Sequence, residues 1–388
     1  MLNFYTKYLF ILFWLLQVLQ QTNIPFNFKP YLYIIMGISL IFTFVLLSKN
    51  SSFFFNKAFL VIHLVLLIYV FYWIMFDQSV FGLQYIISKI AIYGLMAATI
   101  FYQYDFVEKK LLRIILMLGM IILIFGLVTN LSFGSRYGGP FGNPNSLGFF
   151  SVMLFGIVLF QKEKNRLRTF LLIFFILMAL ASGSRAALGG IVLAYLIKEK
   201  VSFKKLAILF ISFAILFGIN KLVTSYGFTT GIDRVISTSK KHDLLAGRDL
   251  EYKLGLDSIK ENPITGHGLD HYAHLSDTIV KKSGILRIDA NFALNPHNSF
   301  IALFIQLGIP FGIILLSILF YYVGKSFFFK PRHGPYLILI LYPFLAGFFE
   351  SFLFGVSGFE GTTFWFALMF YQYYMLRQSQ QKMESYGI

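Results

Sequence analysis

Apolar runs of bilayer-spanning length, separated by short polar loops, recur from one end of the chain to the other. The alternation of apolar and polar residues that is typical of transmembrane strands is absent, and helices are then the structure that satisfies the backbone in lipid. We therefore predict an all-α polytopic membrane protein with about twelve transmembrane helices. The predicted spans are residues 4–22, 30–48, 58–76, 80–102, 111–129, 145–161, 168–182, 185–198, 204–223, 298–323, 335–349 and 360–376.

This pattern divides the chain into three parts. Residues 1–223 hold the first nine helices, residues 224–297 form a long polar loop, and residues 298–388 hold the last three helices and a short tail. A loop of this length in an otherwise tight bundle is usually functional.

Composition supports a membrane protein. The 388 residues are 57% hydrophobic and 13% charged, whereas soluble domains average about 25% charged residues. The chain has no cysteine, which excludes a disulfide framework and thiolate metal sites.

Lysine and arginine cluster on alternate loops, and this bias predicts the orientation. The basic residues of the N-terminus, of alternate loops and of the tail are Lys7, Lys49, Lys57, Lys109, Lys110, Arg113, Lys162, Lys164, Arg166, Arg168, Lys198, Lys200, Lys204, Lys205, Lys325, Lys330, Arg332, Arg377 and Lys382. The opposite short loops carry only Lys29, Arg136 and Arg185. The positive-inside rule then places both termini in the cytoplasm and the long loop outside. The net charge of +16 thus reflects topology and attraction to membrane lipids, and we expect no nucleic-acid partner.

With this topology, every unusual polar cluster lies on the outer side. The loop before span six reads "SRYGGPFGNPNSLG", and its glycines and prolines prevent a regular helix. Arg136, Asn143 and Asn145 lie in it, and the glycines suit the close approach of backbone to a ligand. The alternative is a tight turn in which Asn145 or Ser146 caps span six.

The turn between spans seven and eight reads "ASGSRAALGG". Both spans are short, so we expect Arg185 at or below the outer interface, where an arginine costs roughly 2.5–3.5 kcal/mol on insertion scales. Such residues usually mark a functional site, and a guanidinium forms bidentate hydrogen bonds with phosphate. The alternative is that Arg185 reaches the lipid headgroups.

The long loop contains an amphipathic helix that ends at Asn262-Pro263. Its apolar residues Leu250, Leu254 and Ile259 are predicted to lie on the bundle or membrane surface. Arg248 lies at its first turn, either as part of a site or as a solvated arginine.

Three histidines follow this helix, His267, His271 and His274. At this spacing the three side chains would share one face of a helix, but Gly266 and Gly268 disfavour a helix there. Zinc sites also usually include a carboxylate or thiolate beside histidines. We predict no metal site.

The stretch "NPHNSF" begins span ten. Asn298 or Asn295 is expected to cap the helix, and Pro296 suits the approach to its start. His297 then lies at the outer mouth of the bundle near a helix N-terminus, whose dipole favours the neutral imidazole that a general base requires. The alternative is a capping or interfacial histidine.

Glu350 and Glu360 are the acids near the outer ends of the last two spans. Either is expected to pair with an outer arginine or to hold an acceptor hydroxyl. Glu350 is the better candidate, because it lies inside an apolar run.

The motifs "YGGPFGNPNSLG", "SGSRAAL", "GRDLEY", "NPITGHG" and "NPHNSF", in this order, resemble the O-antigen ligase and Wzy-type polymerase superfamily. The resemblance covers about residues 130–310. One departure is Tyr252, where the family often has tryptophan four residues after the arginine.

The resemblance implies a metal-independent, inverting membrane glycosyltransferase of the C type, without a cofactor or sugar nucleotide. Its donor is a glycan on undecaprenyl diphosphate at the outer face of the bacterial cytoplasmic membrane. The family's phosphate-contacting arginines correspond to Arg185 and Arg248, and its key histidine corresponds to His297. The predicted substrate contacts are Arg136, Asn143, Asn145, Asn298, Tyr252 and Glu350.

Several activities remain open at this level. A polymerase joins lipid-linked repeat units, a ligase moves the finished glycan to lipid A core, and some relatives transfer glycans to protein. The polymerase is preferred, with a chain-length regulator and a flippase as possible protein partners. A transporter of lipid-linked oligosaccharide is the alternative of another class, but it would place its polar residues near the midplane.

Overall fold

The fold was analysed in a computed structural model, which describes residues 5–129, 136–163, 165–199, 249–269, 295–330, 333–356 and 358–385. The predicted span at 204–223 lies outside the described residues, as do Arg248, His271 and His274. The predicted boundary at residue 223 also lies outside them.

Helices make up most of the described chain. The bounds are α1 Phe10–Gln20, preceded by a π-helical turn at Tyr5–Leu9, α2 Lys29–Lys49, α3 Lys57–Asp77, α4 Val80–Tyr102, α5 Tyr104–Thr129, α6 Pro144–Leu159, α7 Arg166–Ser182, α8 Arg185–Lys198, α9 Asp249–Glu261, α10 Ser299–Phe328, α11 Gly334–Ala346 and α12 Phe359–Ser385. In these ranges the only extended pairing is an isolated bridge between Thr22 and Phe141. The prediction of an all-α polytopic membrane protein is confirmed.

Among the residues that the structure describes, five helices are long and apolar enough to cross a membrane by length and composition, namely α2, α3, α4, α5 and α10. Two further apolar helices, α6 and α11, are shorter. The described helices agree with the predicted spans to within a few residues at most ends, although α12 continues to Ser385.

The chain divides into two compact units. Unit 1 comprises residues 1–18, 27–108 and 245–388, and unit 2 comprises residues 19–26 and 109–244. The core of unit 1 is rich in aromatic side chains. Phe10 stacks on Phe366 with 4.1 Å between ring centroids, and the buried indole of Trp14 donates to the Thr363 hydroxyl at 3.1 Å. Such packing and hydrogen bonds stabilise helix pairs in lipid, where the hydrophobic effect between helices is lost.

Unit 2 brings its predicted outer loops together at one end. The amide of Asn23 donates to the Pro140 carbonyl at 2.7 Å, and the amide of Tyr137 donates to the Ala181 carbonyl at 2.9 Å. Gly148 of α6 faces the turn between α7 and α8, where a Cβ would lie 2.9 Å from Ser184 Cβ. The loop before α6 and the turn before α8 are therefore neighbours within this unit.

In unit 1, helix α10 is broken at Gly308, which has φ 74° and ψ 174°. The break leaves carbonyls and an amide of the helix without partners inside the helix, and the segment 262–269 forms hydrogen bonds with them. The amide of His267 donates to the Ile305 carbonyl at 2.8 Å, the amide of Gly268 donates to the Gln306 carbonyl at 3.1 Å, and the amide of Ile309 donates to the Pro263 carbonyl at 2.7 Å. The hydroxyl of Tyr72 also donates to the Gln306 carbonyl, at 2.8 Å.

Two glycines allow this close backbone contact. A Cβ on Gly266 would lie 2.5 Å from the Gln306 carbonyl oxygen, and a Cβ on Gly308 would lie 2.3 Å from the Ile264 carbonyl oxygen. Both distances are far inside van der Waals contact. The sequence "NPITGHG" is thus a backbone clamp on α10, and it begins where α9 was predicted to end.

We expect Gly308→Ala to lower the stability of the protein, because its φ and ψ lie in a region open essentially to glycine, at a cost of about 1–3 kcal/mol before the overlap with Ile264 is counted. The matched control is Gly324→Ala in the same helix, where a Cβ meets open space. Alanine should be neutral or stabilising there, by up to about 1 kcal/mol. Thermal unfolding in detergent measures both variants, and equal shifts in Tm would contradict the clamp.

Candidate functional site

Helix α9 packs on the first half of α10. Leu254, Ile259 and Ile305 form a buried cluster, against which Ile301 and Phe304 pack. The predicted amphipathic face is therefore confirmed for Leu254 and Ile259, while the side chain of Leu250 lies outside the described residues. Because side chains three positions apart share a helix face, this packing brings Glu251 toward the start of α10.

Asn298 caps α10. Its side-chain Oδ1 accepts hydrogen bonds from the amides of Phe300 at 2.9 Å and Ile301 at 3.0 Å. Its Nδ2 donates to the Phe348 carbonyl at 2.9 Å. The hydroxyl of Tyr252 donates to the same carbonyl at 3.0 Å. Asn298 and Tyr252 thus both fix the chain just after α11.

His297 has a left-handed backbone, with φ 43°. Its amide donates to Asn295 Oδ1 at 2.8 Å, and the Ser351 hydroxyl donates to the same Oδ1 at 2.6 Å. The amide of Asn298 in turn donates to Ser351 Oγ at 2.9 Å. A non-glycine residue in this region is strained and is found most often at functional sites.

The imidazole of His297 lies between two carboxylates. Its Nδ1 is 3.5 Å from Glu350 Oε2, and its Nε2 is 3.9 Å from Glu251 Oε1. The three side chains are half-buried, with exposed fractions of 33% for His297, 27% for Glu251 and 21% for Glu350. A histidine held between acids can move a proton and have the resulting imidazolium stabilised, as in other acid–base sites.

Sequence reasoning selected Glu350 but not Glu251. Glu350 was expected to pair with an arginine or an acceptor hydroxyl, and the structure places it beside His297. Glu251 follows Arg248 by three positions and precedes the buried Leu254 by three. Its position on the same helix face as Leu254 was the signal that could have pointed to it.

The hydroxyl of Ser299 fixes the backbone that carries Glu350. It donates to the Glu350 carbonyl at 2.6 Å and accepts from the amides of Phe352 at 3.1 Å and Leu353 at 3.2 Å. The amide of Ser299 donates to the Gly347 carbonyl at 2.7 Å. The first residue of α10 therefore orders the whole turn after α11.

Unit 2 holds the second group of predicted residues. Arg136 donates from Nε to the Ser182 carbonyl at 3.1 Å and from Nη2 to Asn145 Oδ1 at 2.5 Å. Asn143 caps α6 by accepting from the amide of Asn145 at 2.9 Å. The predicted cap, Asn145 or Ser146, is wrong because Pro144 takes the first helical position, so that the cap lies one residue before it.

Arg185 is the first residue of α8. Ser184 caps this helix, accepting from the amide of Ala187 at 3.4 Å, and the Arg185 side chain is half-buried. The N-terminus of a helix carries a partial positive charge and free amides, which favour an anion. An arginine at this position adds a full charge to the same place, and the Arg136 side chain is bound to the turn that precedes it.

His267 has a structural role. Its Nε2 donates to the Ser258 carbonyl at 2.8 Å, and its Nδ1 accepts from Asn262 Nδ2 at 3.3 Å. Both ring nitrogens are thus occupied at the end of α9. Among the residues that the structure describes, no group of three histidine or acidic side chains has an arrangement that could hold a metal ion.

The fold is that of a multi-pass membrane protein, and His297 lies with Glu251 and Glu350 (the His297 cluster) at the start of α10. A family model described as O-antigen ligase matches residues 170–317. The matched range contains Arg185, Arg248, Tyr252, His297 and Asn298, and the resemblance to the O-antigen ligase and Wzy-type superfamily is confirmed. The match supports a membrane enzyme of the O-antigen ligase and polymerase type that acts on lipid-linked glycans. No curated protein gives a significant match.

We expect Ser299→Ala to destabilise the protein by about 2 kcal/mol or more, because it leaves buried backbone groups of the Glu350 turn without their partner. Ser151→Ala is the matched control, since the buried Ser151 hydroxyl donates only to Leu147 of its own helix, at 2.8 Å. Thermal unfolding in detergent measures both. The assignment fails if the two substitutions cost the same.

Proposed function

We propose that this protein polymerises oligosaccharide repeat units carried on undecaprenyl diphosphate, at the outer face of the bacterial cytoplasmic membrane. The observation that carries the proposal is the His297 imidazole between Glu350 and Glu251. His297 and Glu251 lie inside the range matched by the family model. In this proposal both termini are cytoplasmic and the reaction is extracytoplasmic. A flippase would supply the donor and a chain-length regulator would act on the product.

The donor diphosphate is bound by Arg185 and Arg248. The position of Arg185 at the first turn of α8 supports this role, because dipole and guanidinium both favour an anion there. Arg248 directly precedes α9, whose first turn holds Glu251 beside His297. Both arginines stabilise the charge that develops on the leaving diphosphate.

The acceptor hydroxyl is deprotonated by His297. Glu350 accepts the hydrogen on Nδ1, which leaves Nε2 to take the proton of the hydroxyl on the side that faces Glu251. The hydroxyl oxygen forms a bond to the anomeric carbon while the bond from that carbon to the diphosphate oxygen breaks. The electron pair leaves with the diphosphate, so a single displacement inverts the anomeric centre. The two carboxylates stabilise the imidazolium.

The remaining candidate residues contact the sugars of the substrates or order the backbone near the acceptor. We assign Arg136, Asn143 and Asn145 to the sugars of donor or acceptor. Tyr252 and Asn298 act near the acceptor, where both bind the Phe348 carbonyl. The reaction as written uses only groups of this chain and its two glycan substrates, and it requires no cofactor.

The second candidate is a ligase that transfers the finished glycan to lipid A core, favoured by the description of the matching family model. The polymerase is preferred because the abundance of Phe, Ile and Lys fits an AT-rich genome and a host without lipid A. A transporter is less well supported, because the candidate residues gather at helix ends rather than at the midplane.

A reconstituted assay tests the polymerase. Purified protein with a synthetic undecaprenyl-diphosphate repeat unit, without nucleotide sugar and with EDTA, should give a ladder of longer lipid-linked products. His297→Ala and Arg185→Ala should each lower the rate by about 10²–10⁴-fold. Arg113→Ala, which removes an exposed arginine of α5, is the control and should keep the rate.

The outcomes separate the activities. Transfer that occurs only after lipid A core is added identifies a ligase. Movement of the lipid across liposomes, without transfer to any acceptor, identifies a transporter and overturns the enzyme. A ladder that requires a metal ion would contradict the metal-independent reaction.

The role of Glu251 is tested by Glu251→Gln. Loss of the negative charge opposite Nε2 should lower kcat by about 10–100-fold, a fraction of the general-base contribution. Asp257→Asn is the matched control on the same helix, because Asp257 contacts the exposed Lys260 at 2.9 Å and lies outside the cluster. Equal activity of the two variants would show that Glu251 is not part of the site.

A further inference from the structure

Lys89 is a buried lysine near the middle of the apolar helix α4. Its exposed fraction is 2%, and it is the tenth residue of α4, about 13 Å along the helix from Val80 at the usual rise of about 1.5 Å per residue. Its Nζ lies over the rings of Tyr85 at 4.8 Å, Tyr69 at 5.3 Å and Tyr93 at 5.5 Å from the ring centroids. An ionisable residue inside a membrane helix is costly and usually functional, and the reaction proposed above does not use it.

The amino group of Lys89 holds a backbone carbonyl. Nζ donates to the Phe354 carbonyl at 2.8 Å, and the Tyr85 hydroxyl donates to the same oxygen at 2.5 Å. Phe354 is fully buried and lies four residues after Glu350. A carbonyl oxygen has two lone pairs, so both are used here, one by Lys89 and one by Tyr85.

The neighbouring carbonyls are bound in the same way. The Trp365 indole donates to the Leu353 carbonyl at 2.7 Å, and Gln17 Nε2 donates to the Val356 carbonyl at 3.4 Å. The segment 352–356 is thus a non-helical stretch, buried at Leu353 and Phe354, and three of its carbonyls are bound by side chains of α1, α4 and α12. Ser299 fixes its other end through the amides of Phe352 and Leu353.

We propose that Lys89 is a positioning residue, which holds the segment 352–356 and thereby keeps Glu350 and Ser351 against His297. Its hydrogen bond acts on the site through one carbonyl and four residues of backbone, without touching substrate. The activity that it supports is the one proposed above, so the inference rests on that function for its kinetic consequence. The geometric consequence, a tightly held segment, is independent of the activity.

The kinetic test is a double-mutant cycle with Glu350. Lys89→Met should lower kcat of the purified polymerase by about 10–100-fold, the cost of a small misplacement of a reacting group, with KM changed less than about threefold. Lys89→Gln keeps a hydrogen-bond donor, so its kcat should lie between that of the parent protein and that of Lys89→Met. In a Glu350→Gln background, Lys89→Met should lower kcat by less than about threefold, because the residue through which Lys89 acts is already gone.

The control is Lys325→Met in α10. Lys325 also lies over a tyrosine, with 5.9 Å from Nζ to the Tyr322 ring centroid, but at the far end of the helix from His297. It should keep the kcat of the parent protein. If Lys89→Met and Lys89→Gln both keep the parent kcat, or if the loss is the same in the two backgrounds, the positioning role is wrong.

A second measurement does not depend on activity. Because the chain has no cysteine, Leu353→Cys places a single thiol in the buried segment, where Leu353 is 0% exposed. Adding Lys89→Met should raise the rate of maleimide labelling of this thiol by about tenfold or more, as expected when a buried hydrogen bond is lost. Adding Lys325→Met should leave the rate unchanged.

The two measurements separate the failures. Faster labelling in a protein without polymerase activity would support the holding of the segment and overturn the proposed function. An active parent whose labelling rate and kcat are both unaffected by Lys89→Met would overturn the role of Lys89 and leave the proposed function intact.

Discussion

Buried backbone that is not helical must find hydrogen-bond partners, and this constraint explains more of the structure than any other. It acts at two places in unit 1. The break of α10 at Gly308 leaves carbonyls that are met by the amides of the segment 262–269. The stretch after α11 has carbonyls that are met by Lys89, Tyr85 and Trp365. In lipid, each backbone group without a hydrogen-bond partner costs several kcal/mol. The fold therefore requires the residues that provide these partners.

The candidate site is also ordered by hydrogen bonds to non-helical backbone. Asn295 and Ser351 hold the strained backbone of His297, and Ser299 holds the turn that carries Glu350. Helix α9 then adds Glu251 from the long polar segment, because the buried contact of Leu254 with α10 fixes its position. The residues with a structural role and those proposed for chemistry therefore alternate along the same few stretches of chain. In unit 2 as well, hydrogen bonds order a candidate region: Arg136 and Asn145 bind each other beside the turn that precedes Arg185.

Hydropathy and local signals were enough to predict the described helices, the end of α9 at Asn262-Pro263 and Asn298 as one of two candidate caps, because each depends on neighbours in sequence. The cap of α6 was assigned two or three residues too late, since the effect of Pro144 on the helix start was not weighed. Lys89 was missed because one lysine hardly changes the hydropathy of a 23-residue helix. Glu251 was missed because periodicity gives the face of α9 but not the helix against which it packs. The partnership of Glu350 with His297 likewise depends on long-range packing.

Binding of the lipid-linked glycan by the His297 cluster can be tested by protection of a single thiol. The chain has no cysteine, so His297→Cys gives one reactive group at the site in a variant that should not consume its substrate. We predict that a saturating undecaprenyl-diphosphate repeat unit slows the modification of this thiol by about tenfold or more, as expected when the site is more than nine-tenths occupied. Undecaprenyl phosphate without the glycan is the control and should give less protection. A modification rate that the repeat unit leaves unchanged would show that the His297 cluster does not bind the lipid-linked glycan.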